Sequence, residues 1–378
     1  MTNWKTYKLS EITIMRNGKK RPKNKGVYPV YGGNGIMDYA DCFNAENTII
    51  VGRVGAYCGN VYQCKSKCWV SDNAISVSPN ELADSDYLYY LMASLDFHHH
   101  HIGGAQPLMT QDIIGGFKIS LPSLEEQRKI AGILGALDDK IENNRRINTN
   151  LESQAQALYK QWFVDFEFPN EEGKPYKSSG GKMVESELGP IPEEWRVGDI
   201  YKYVNVVYGA PYKSALFNER KDGNPLIRIR DLKTFSPQYY TQEILPNTEY
   251  VNAGDVVAGM DAEFVPCLWM GEKGVLNQRC CKFVGKQDSI SNYYVMFLVK
   301  PELEFVQSYK TGTTVSHLGK ADIDKFVVVY PPFAVIEKFS KIADALLNNK
   351  IKLAKENISL ATLRDTLLPK LMNGEIKL

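Results

Sequence analysis

The sequence repeats one pattern, and this repeat constrains the fold more than any other feature. Residues 117–141 read FKISLPSLEEQRKIAGILGALDDKI, and residues 326–351 read FVVVYPPFAVIEKFSKIADALLNNKI. Each copy runs from an apolar strand through proline to Lys-Ile-Ala and a leucine-rich segment. A chain of 378 residues is long enough for two domains that each bury a core. The repeat therefore predicts two related halves.

A long helix is predicted after the proline of each copy. Ser123 and Glu126 have the spacing of a capping box, which opens the first helix. Apolar residues then keep a 3-4 spacing, which favours a coiled coil of about 60 Å over an ordinary surface helix. Asn144 and Asn148 interrupt the first seam, either as tolerated polar residues or as residues that fix the register. The predicted seam residues are Ile130, Leu134, Leu137, Ile141, Leu151, Leu158 and Trp162 in the first helix and Ile342, Leu346, Leu353, Leu360 and Leu367 in the second.

The repeat extends upstream of the helices. Trp4 corresponds to Trp195, and residues 103–122 correspond to residues 311–332. The predicted fold class is α+β, with two mixed globular domains separated by two long helices that pack as an antiparallel coiled coil, in a pseudo-twofold internal repeat. The predicted divisions are 1–121 for the first domain, 122–168 for the first helical region, 169–190 for an extended linker, 191–331 for the second domain and 332–378 for the second helical region.

Composition narrows the class of protein. The formal net charge is +1, so a nucleic-acid binder with this balance must concentrate its positive charge locally. The seven cysteines are irregularly spaced, as expected for reduced thiols. No segment has the roughly 18 apolar residues of a membrane span, and the first residues lack the apolar centre of a signal peptide. We expect a cytoplasmic protein.

Two motifs suggest chemistry that we do not predict. YPPF, residues 330–333, resembles the motif with which amino-methyltransferases hold a flipped base, but Tyr330 has no amide or carboxylate to accept the amino protons. The repeat explains YPPF as a joint between strand and helix. HHHH, residues 98–101, is predicted to be the end of a surface helix, because adjacent histidines cannot all converge on one metal ion. We predict no metal site and no catalytic residue.

The order of these segments resembles the specificity subunits of type I restriction–modification systems. The resemblance covers the whole chain, and its most specific motifs are EEQRKIAGILGALDDKIENN, LESQAQALYKQWFVDFEFP, LRDTLLPKLMNGEI, YPVYGGNGI and IIVGRVGAYCGNV. It implies two target-recognition domains that each read half of a split site in double-stranded DNA. It also implies that the helices set the spacing and dock two modification (methyltransferase) subunits, which bind S-adenosylmethionine, while restriction (endonuclease/translocase) subunits complete the enzyme.

Candidate DNA contacts can be named in both halves. The run RNGKKRPKNK, residues 16–25, supplies Lys19, Lys20 and Arg21 for phosphates, although a short basic run is also common in loops without a partner. Tyr31 and Asn34 could touch base edges, and Arg53 could bind guanine or serve as a structural ion-pair partner. In the second half we select Arg228 and Arg230, predicted to share one face of a strand, together with Gln278, Arg279 and His317.

Three functions remain open on the sequence alone. The first is a non-catalytic subunit that recognises DNA. The second is a self-contained DNA-modifying enzyme, and the third is a coiled-coil scaffold that binds no nucleic acid. A gel shift with and without a methyltransferase partner, combined with a methyl-transfer assay, separates the three.

Overall fold

The computed structural model describes residues 4–103, 107–310 and 316–378. The chain divides into two compact units, unit 1 with residues 1–141 and 359–378, and unit 2 with residues 142–358. Each unit therefore combines a globular part with a portion of both long helices. Residues 104–106 and 311–315, which belong to the predicted upstream repeat, lie outside the described residues.

Unit 1 contains a two-stranded pair, a six-stranded sheet and three short helices before the first long helix. Its elements are β1 Lys5–Lys8, α1 Leu9–Ile12, β2 Thr13–Asn17, β3 Tyr28–Gly32, β4 Gly35–Ala40, β5 Ala45–Gly52, β6 Val61–Val70, β7 Ala74–Pro79, α2 Ser85–Ser94, α3 Gln111–Gly116, β8 Lys118–Leu121 and the long helix α4 Leu124–Tyr159. The sheet order is β2-β7-β5-β6-β3-β4, and β1 pairs with β8.

Strand β5 lies inside the sheet because its sequence is apolar on both faces. Ile49 and Val51 pack into the cluster that contains α2, and Ile50 packs into a second cluster on the other face with Cys64 and Cys68. All three β5 residues are fully buried. The alternation follows from the two-residue period of a strand, which sends successive side chains to opposite faces.

Unit 2 contains smaller sheets, one α-helix of 19 residues and part of the second long helix. Its elements are β9 Met183–Val184, β10 Ile191–Pro192, β11 Arg196–Asp199, β12 Val204–Tyr208, β13 Asn224–Ile227, β14 Tyr240–Thr241, β15 Tyr250–Val251, β16 Val256–Gly259, β17 Pro266–Leu268, β18 Gly274–Leu276, β19 Cys280–Gly285, α5 Asn292–Lys310, α6 Lys320–Ile323, β20 Val327–Tyr330 and the long helix α7 Phe333–Met372. The sheet orders are β12-β19-β16-β17 and β14-β13-β18-β15, and β11 pairs with β20.

The two units share one strand topology. The antiparallel run β2-β7-β5-β6 of unit 1 corresponds to β12-β19-β16-β17 of unit 2. In unit 1 β3 pairs in parallel with β6 and in antiparallel with β4, and in unit 2 β13 does the same with β18 and β14. The single strand β6 is thus replaced by two strands, β17 and β18. The α+β class and the internal repeat are confirmed.

The strand-to-helix joint predicted from YPPF is also confirmed. Tyr330 is the last residue of β20, paired with Arg196, and α7 begins three residues later at Phe333. The Tyr203 hydroxyl donates to the carbonyl oxygen of Pro331 at 3.2 Å, and the Tyr203 and Tyr330 rings meet edge to face. These residues hold the joint together.

The two long helices pack antiparallel within each unit. In unit 1, Arg364 of α7 lies 2.6 Å from Asp138 of α4. Leu134, one turn earlier in α4, packs in the same cluster as Leu371 of α7. In unit 2, Asn144 and Glu152 of α4 contact Asn357 and Lys350 of α7, respectively. Partner numbers fall along one helix as they rise along the other, which is the signature of antiparallel packing. A π-turn, Lys160–Val164, continues the first helix toward Pro169.

The linker prediction for residues 169–190 is wrong in one respect, because this segment is not extended. Tyr176 stacks on Phe168, with ring centroids 4.7 Å apart, and its backbone N–H donates to the Phe168 carbonyl oxygen. Strand β9 then pairs with β10. Phe168 also packs against the buried Trp195, so aromatic contacts fold the segment onto unit 2. Glycine and serine content alone gave no sign of these contacts.

Candidate DNA-recognition surfaces

In unit 1, the turn at residues 71–73 brings three predicted segments together. The backbone N–H of Lys19 donates to the last carbonyl group of β6 at 3.0 Å, just before this turn. The backbone N–H of Ser71 donates to the carbonyl oxygen of Tyr31 at 2.9 Å. The backbone N–H of Arg53 donates to the carbonyl oxygen of Asn73, also at 2.9 Å. The basic run, the β3–β4 hairpin and the Arg53 loop therefore meet at one edge of the sheet.

Arg53 and Asn34 both reach this edge, which we call the turn edge of unit 1. The Arg53 guanidinium lies 3.5 Å from the carbonyl oxygen of Asp72. Asn34 is exposed in the tight turn between β3 and β4, and Gly35 beside it has φ +80°, a conformation that favours glycine. Gly33 packs closely against Gly52 and Val54, so the turn that carries Asn34 lies beside the loop that carries Arg53.

The basic run is only partly neutralised by acidic neighbours. Arg21 and Lys25 lie 3.5 and 3.2 Å from the Asp38 carboxylate. The pKa of Asp38 is lowered, first by a hydrogen bond from the backbone N–H of Tyr39 and then by Lys25. Lys19 and Lys20 are exposed, so they carry the local positive charge predicted from the sequence.

Tyr31 does not fit its predicted role as a base contact. Its side chain is 9% exposed and packs with Cys64 and Cys68 in the second cluster, on the face of the sheet opposite α2. Burial, followed by interactions with Cys64, raises its pKa well above the usual range. Strand β3 continues to Gly32, so Tyr31 lies within the strand and not in the hairpin turn that carries Asn34. The alternation of side chains along a strand therefore decides which face Tyr31 occupies, and it places the ring in the buried cluster.

In unit 2, Asp261 joins two predicted residues that are far apart in sequence. Its Oδ1 lies 2.7 Å from Nδ1 of His317, and its Oδ2 lies 3.4 Å from Nε of Arg279. A backbone bridge between Asp261 and His317 fixes the pair. Gln278 is exposed beside Arg279. No sequence pattern pointed to Asp261, because its partners are brought to it only by the fold.

The turn edge of unit 1 and this cluster occupy equivalent places in the shared topology. Lys19 makes a parallel bridge to Ser71, and Ala210 makes the same bridge to Asn277. The backbone N–H of Arg53 donates to the carbonyl oxygen of Asn73, and the backbone N–H of Met260 donates to that of Arg279 in the same way. Val54 bridges Leu108, as Asp261 bridges His317. One scaffold position thus presents different side chains in the two units.

The prediction that Arg228 and Arg230 share one face of a strand is wrong. Strand β13 ends at Ile227, and residues 229–232 form a 3₁₀ turn. The Arg228 side chain is 17% exposed, lies over the Tyr239 ring and contacts Asp231, so it is held inside unit 2. Arg230 is exposed.

Ile227 and Tyr31 are equivalent by topology. Asn277 donates its backbone N–H to the carbonyl oxygen of Ile227, as Ser71 donates its backbone N–H to that of Tyr31. The exposed Arg230 and Asn34 each lie three residues beyond these positions. The two connections differ, because Asn34 is in a tight turn between β3 and β4 and Arg230 is in a 3₁₀ turn.

The seam of the first long helix lies largely where the sequence placed it. The side chains of Ile130, Leu134, Ile141 and Trp162 are buried, and those of Leu137, Leu151 and Leu158 are partly buried. Ile130 and Leu134 pack into the core of unit 1, together with Leu371 from the second long helix.

The predicted seam of the second helix requires a correction at Ile342. This side chain is 46% exposed, and the buried residues are Phe339, Ala343 and Leu347. Leu346, Leu353, Leu360 and Leu367 are partly buried. Strands β8 and β20 and helices α4 and α7 match at an offset of 209 residues, whereas the two Lys-Ile-Ala motifs match at 212. Three extra residues turn a helix by about 300°, so the second motif faces a different direction.

By the same offset of 209 residues, Ile342 corresponds to Ile133, which is 38% exposed. The two units therefore expose an isoleucine at the same place on their long helices.

The histidine run forms a turn rather than a metal cluster. Residues Phe97–His100 are a 3₁₀ turn after α2, as predicted for a helix end. Nδ1 of His98 lies 3.0 Å from the carbonyl oxygen of Cys58, and Nδ1 of His99 lies 2.5 Å from Asp96. Across residues 4–103, 107–310 and 316–378, no three His, Cys, Asp or Glu side chains are grouped to hold a metal ion. Over the same ranges, no helix is both long and apolar enough to span a membrane.

Comparison with known proteins decides the family. A family model for the type I restriction modification DNA specificity domain matches residues 1–153 and 192–361. The chain belongs to this family. It is a specificity subunit of a type I restriction–modification system, the family identified from its sequence motifs.

Similar proteins support this assignment along most of the chain. The MjaIX specificity subunit of Methanocaldococcus jannaschii is 28% identical over 353 residues, which cover 84% of this chain and 75% of that protein. The HindI specificity subunit of Haemophilus influenzae is 23% identical over 334 residues, or 72% of each chain. The crystal structure of an S subunit from M. genitalium has the same fold, with a TM-score of 0.62 at 17% identity, and covers 98% of this chain and 96% of that one.

Proposed function

We propose that this specificity subunit reads a bipartite site in double-stranded DNA, one half with each unit, and holds two methyltransferase subunits on its long helices. The observation that carries the proposal is the shared scaffold with different side chains at its equivalent edges. One fold used twice suits two half-sites, and different edge residues suit two different sequences. Base edges in the major groove present distinct hydrogen-bonding patterns, so different side chains select different bases.

The proposed DNA contacts combine phosphate binding with base reading. In unit 1, the exposed Lys19 and Lys20 neutralise phosphates, while Asn34 and Arg53 lie at the edge that reads bases. In unit 2, Arg230, Gln278, Arg279 and His317 take the reading role. Arg21 contributes less to phosphate binding than the neighbouring lysines, because the Asp38 carboxylate, 3.5 Å away, already neutralises part of its charge. Tyr31 and Arg228 act by supporting the fold.

The proposed docking surfaces for the partners lie on the long helices. Ile133 and Ile342 occupy equivalent positions and are 38% and 46% exposed. Equivalent apolar residues on two copies of one scaffold suit two copies of one partner. Restriction subunits complete the proposed complex through the methyltransferases.

We assign catalysis and cofactor binding to the partners. S-adenosylmethionine is expected on each methyltransferase subunit, where an adenine is methylated. In this chain, Tyr330 and Pro331 are occupied in holding β20 to α7, which supports a structural use of the YPPF segment. A cytoplasmic location fits the seven free cysteines.

The test is a binding and methylation assay on the complex with a methyltransferase encoded next to this chain. We expect sequence-specific binding and adenine methylation by the complex, and no methyl transfer by this chain alone. Methylation by the purified chain that disappears on Tyr330→Phe would overturn the assignment. Complexes that form but bind every DNA sequence equally would show that the units do not read bases.

A second experiment tests whether the helices set the spacing between half-sites. Removing seven residues from each long helix should shift the preferred spacer and leave both half-site sequences unchanged. Altered half-sites with an unchanged spacer would contradict the proposal.

A further inference from the structure

The cluster around Asp261 has the construction of a pre-formed recognition element. The Asp261 side chain is 25% exposed, whereas Arg279 and His317 are 56% and 48% exposed. The carboxylate thus lies behind two more accessible polar groups and contacts both. An exposed arginine alone samples many rotamers, and a carboxylate partner restricts them before a ligand arrives.

The loop that carries Asp261 is itself held in an unusual conformation. Ala262 has φ +63°, which non-glycine residues rarely adopt. The Gln307 side chain of α5 donates to the carbonyl oxygen of Ala262 and accepts from the backbone N–H of Phe264, both at 2.9 Å. Ala262 also donates its N–H to the carbonyl oxygen of Ser316 at 3.0 Å. These contacts maintain the strained turn and fix where Asp261 lies.

The contacts also decide which atoms remain for DNA. The closest approach of Arg279 to Asp261 is through Nε, so the two terminal Nη groups are left for an outside partner. Two N–H donors on one planar group match O6 and N7 of guanine. His317 faces Asp261 with Nδ1, which leaves Nε2 for a second contact.

We propose that Asp261 is a positioning residue that aims Arg279 at a guanine in the half-site read by unit 2, with His317 beside it. This inference rests on the proposed DNA-reading function and specifies it further. Unit 1 has Val54, Asn73 and Leu108 at the equivalent positions, so the element belongs to one half-site only.

The test uses the complete complex with methyltransferase subunits and DNA carrying every single-base-pair change in the preferred site. Asp261→Asn should lower discrimination at one G·C pair of one half-site by about tenfold, in the lower part of the range for one bidentate contact, because Arg279 itself is still present. Binding to unrelated DNA should stay unchanged. Arg279→Lys keeps the charge but loses the paired donors, and should affect the same base pair.

Glu263→Gln is the matched control, since it removes the same charge from the same loop. Glu263 forms an exposed pair with Lys233 at 2.6 Å and does not contact Arg279 or His317 in any described interaction. We expect the control to keep full discrimination. If Asp261 acted only through its charge, both neutral variants would strengthen binding to all DNA alike, which would overturn the proposal.

Other outcomes are equally decisive. If Asp261→Asn and Arg279→Lys both fold and keep full discrimination at every position, the proposal is wrong while DNA reading stands. If Asp261→Asn fails to fold, Arg279→Lys decides the question alone. If the unmodified complex shows no sequence preference, the proposed function fails before any variant is compared, and this inference fails with it.

Discussion

Asn144 of the first long helix donates from Nδ2 to Oδ1 of Asn357 on the second, at 2.9 Å. The same amide group lies 3.0 Å from the Glu356 carboxylate, and the Asn144 side chain is fully buried. Because a buried amide must find partners, sliding one helix along the other would leave it unpaired. The geometry favours register fixing over tolerated exposure as the reason for this polar residue.

Asn144→Ala should lower the free energy of unfolding by about 1–3 kcal/mol, because it opens a space between the helices and removes the hydrogen bonds that Asn144 donates to Glu356 and Asn357. Asn143→Ala is the matched control, since it changes the same residue type one position earlier on an exposed face. We expect the control to change stability by less than about 0.5 kcal/mol. Chemical denaturation of both variants measures the difference. Equal losses of stability in the two variants would show that the hydrogen bonds of Asn144 add nothing to the free energy of unfolding.

Lys350 should depend on Glu152 for its buried charge. The Lys350 side chain is 11% exposed and contacts the Glu152 carboxylate, which is 45% exposed. Glu152→Gln leaves a buried ammonium group without its counter-charge, and partial exposure of Glu152 limits the expected loss to about 1–2 kcal/mol.

The control for this pair is Glu142→Gln, which breaks an exposed contact with Arg145 on the same helix. That change should cost less than about 0.5 kcal/mol. Thermal unfolding at several salt concentrations separates the two variants. A salt-sensitive loss of the same size in both would argue that Lys350 behaves as a surface charge.

Ile133→Asp and Ile342→Asp should weaken binding of methyltransferase subunits without unfolding the chain, because both residues are exposed. Each single variant should lose one of two partners, measured by the mass of the purified complex. Leu134→Asp is the informative contrast, since Leu134 is fully buried in unit 1 and an unpaired aspartate there costs several kcal/mol. Full retention of both partners by the double variant would place the docking surface elsewhere.

Lys19→Gln combined with Lys20→Gln should weaken binding to all DNA and reduce the salt dependence of the affinity. The slope of log K against log salt should fall by about one for each phosphate that is no longer neutralised. Lys5→Gln with Lys118→Gln removes the same charge from the separate β1–β8 pair and should leave the slope unchanged. A changed sequence preference with an unchanged slope would show that the loop reads bases.

Cys42 should be the cysteine that reacts with a thiol reagent in the native protein. It is exposed, whereas five other cysteines are buried and the remaining one, Cys267, is partly buried with its pKa raised to about 12 by burial. The pKa of the Cys42 thiol is also raised, first by desolvation and then by Asp41, so its exposure to the reagent is what distinguishes it. Native protein should show about one fast-reacting thiol, absent from Cys42→Ser, and denatured protein all seven. Fewer than seven in the denatured state would reveal a disulfide.

The sequence determined the architecture because its signals are local and periodic. In each copy of the repeat, a strand pattern, a proline and a heptad spacing lie within about 25 residues. The strand and the helix can therefore be predicted from that segment alone, without the rest of the chain. The joint at Tyr330, the buried Leu134 and the family motifs all follow from such local patterns. Trp4 and Trp195 both precede a strand that pairs with the strand before a long helix.

The tertiary structure decided which face each residue presents and which distant residues meet. Lys-Ile-Ala recurs in both copies, yet Ile130 is buried and Ile342 is exposed, because three intervening residues rotate the second helix. Tyr31 turns inward and Arg228 is held against Tyr239, which the residue types alone did not reveal. Asp261 meets His317 across 56 positions of sequence, since hydrogen bonds between remote strands and loops leave no periodic trace in the chain.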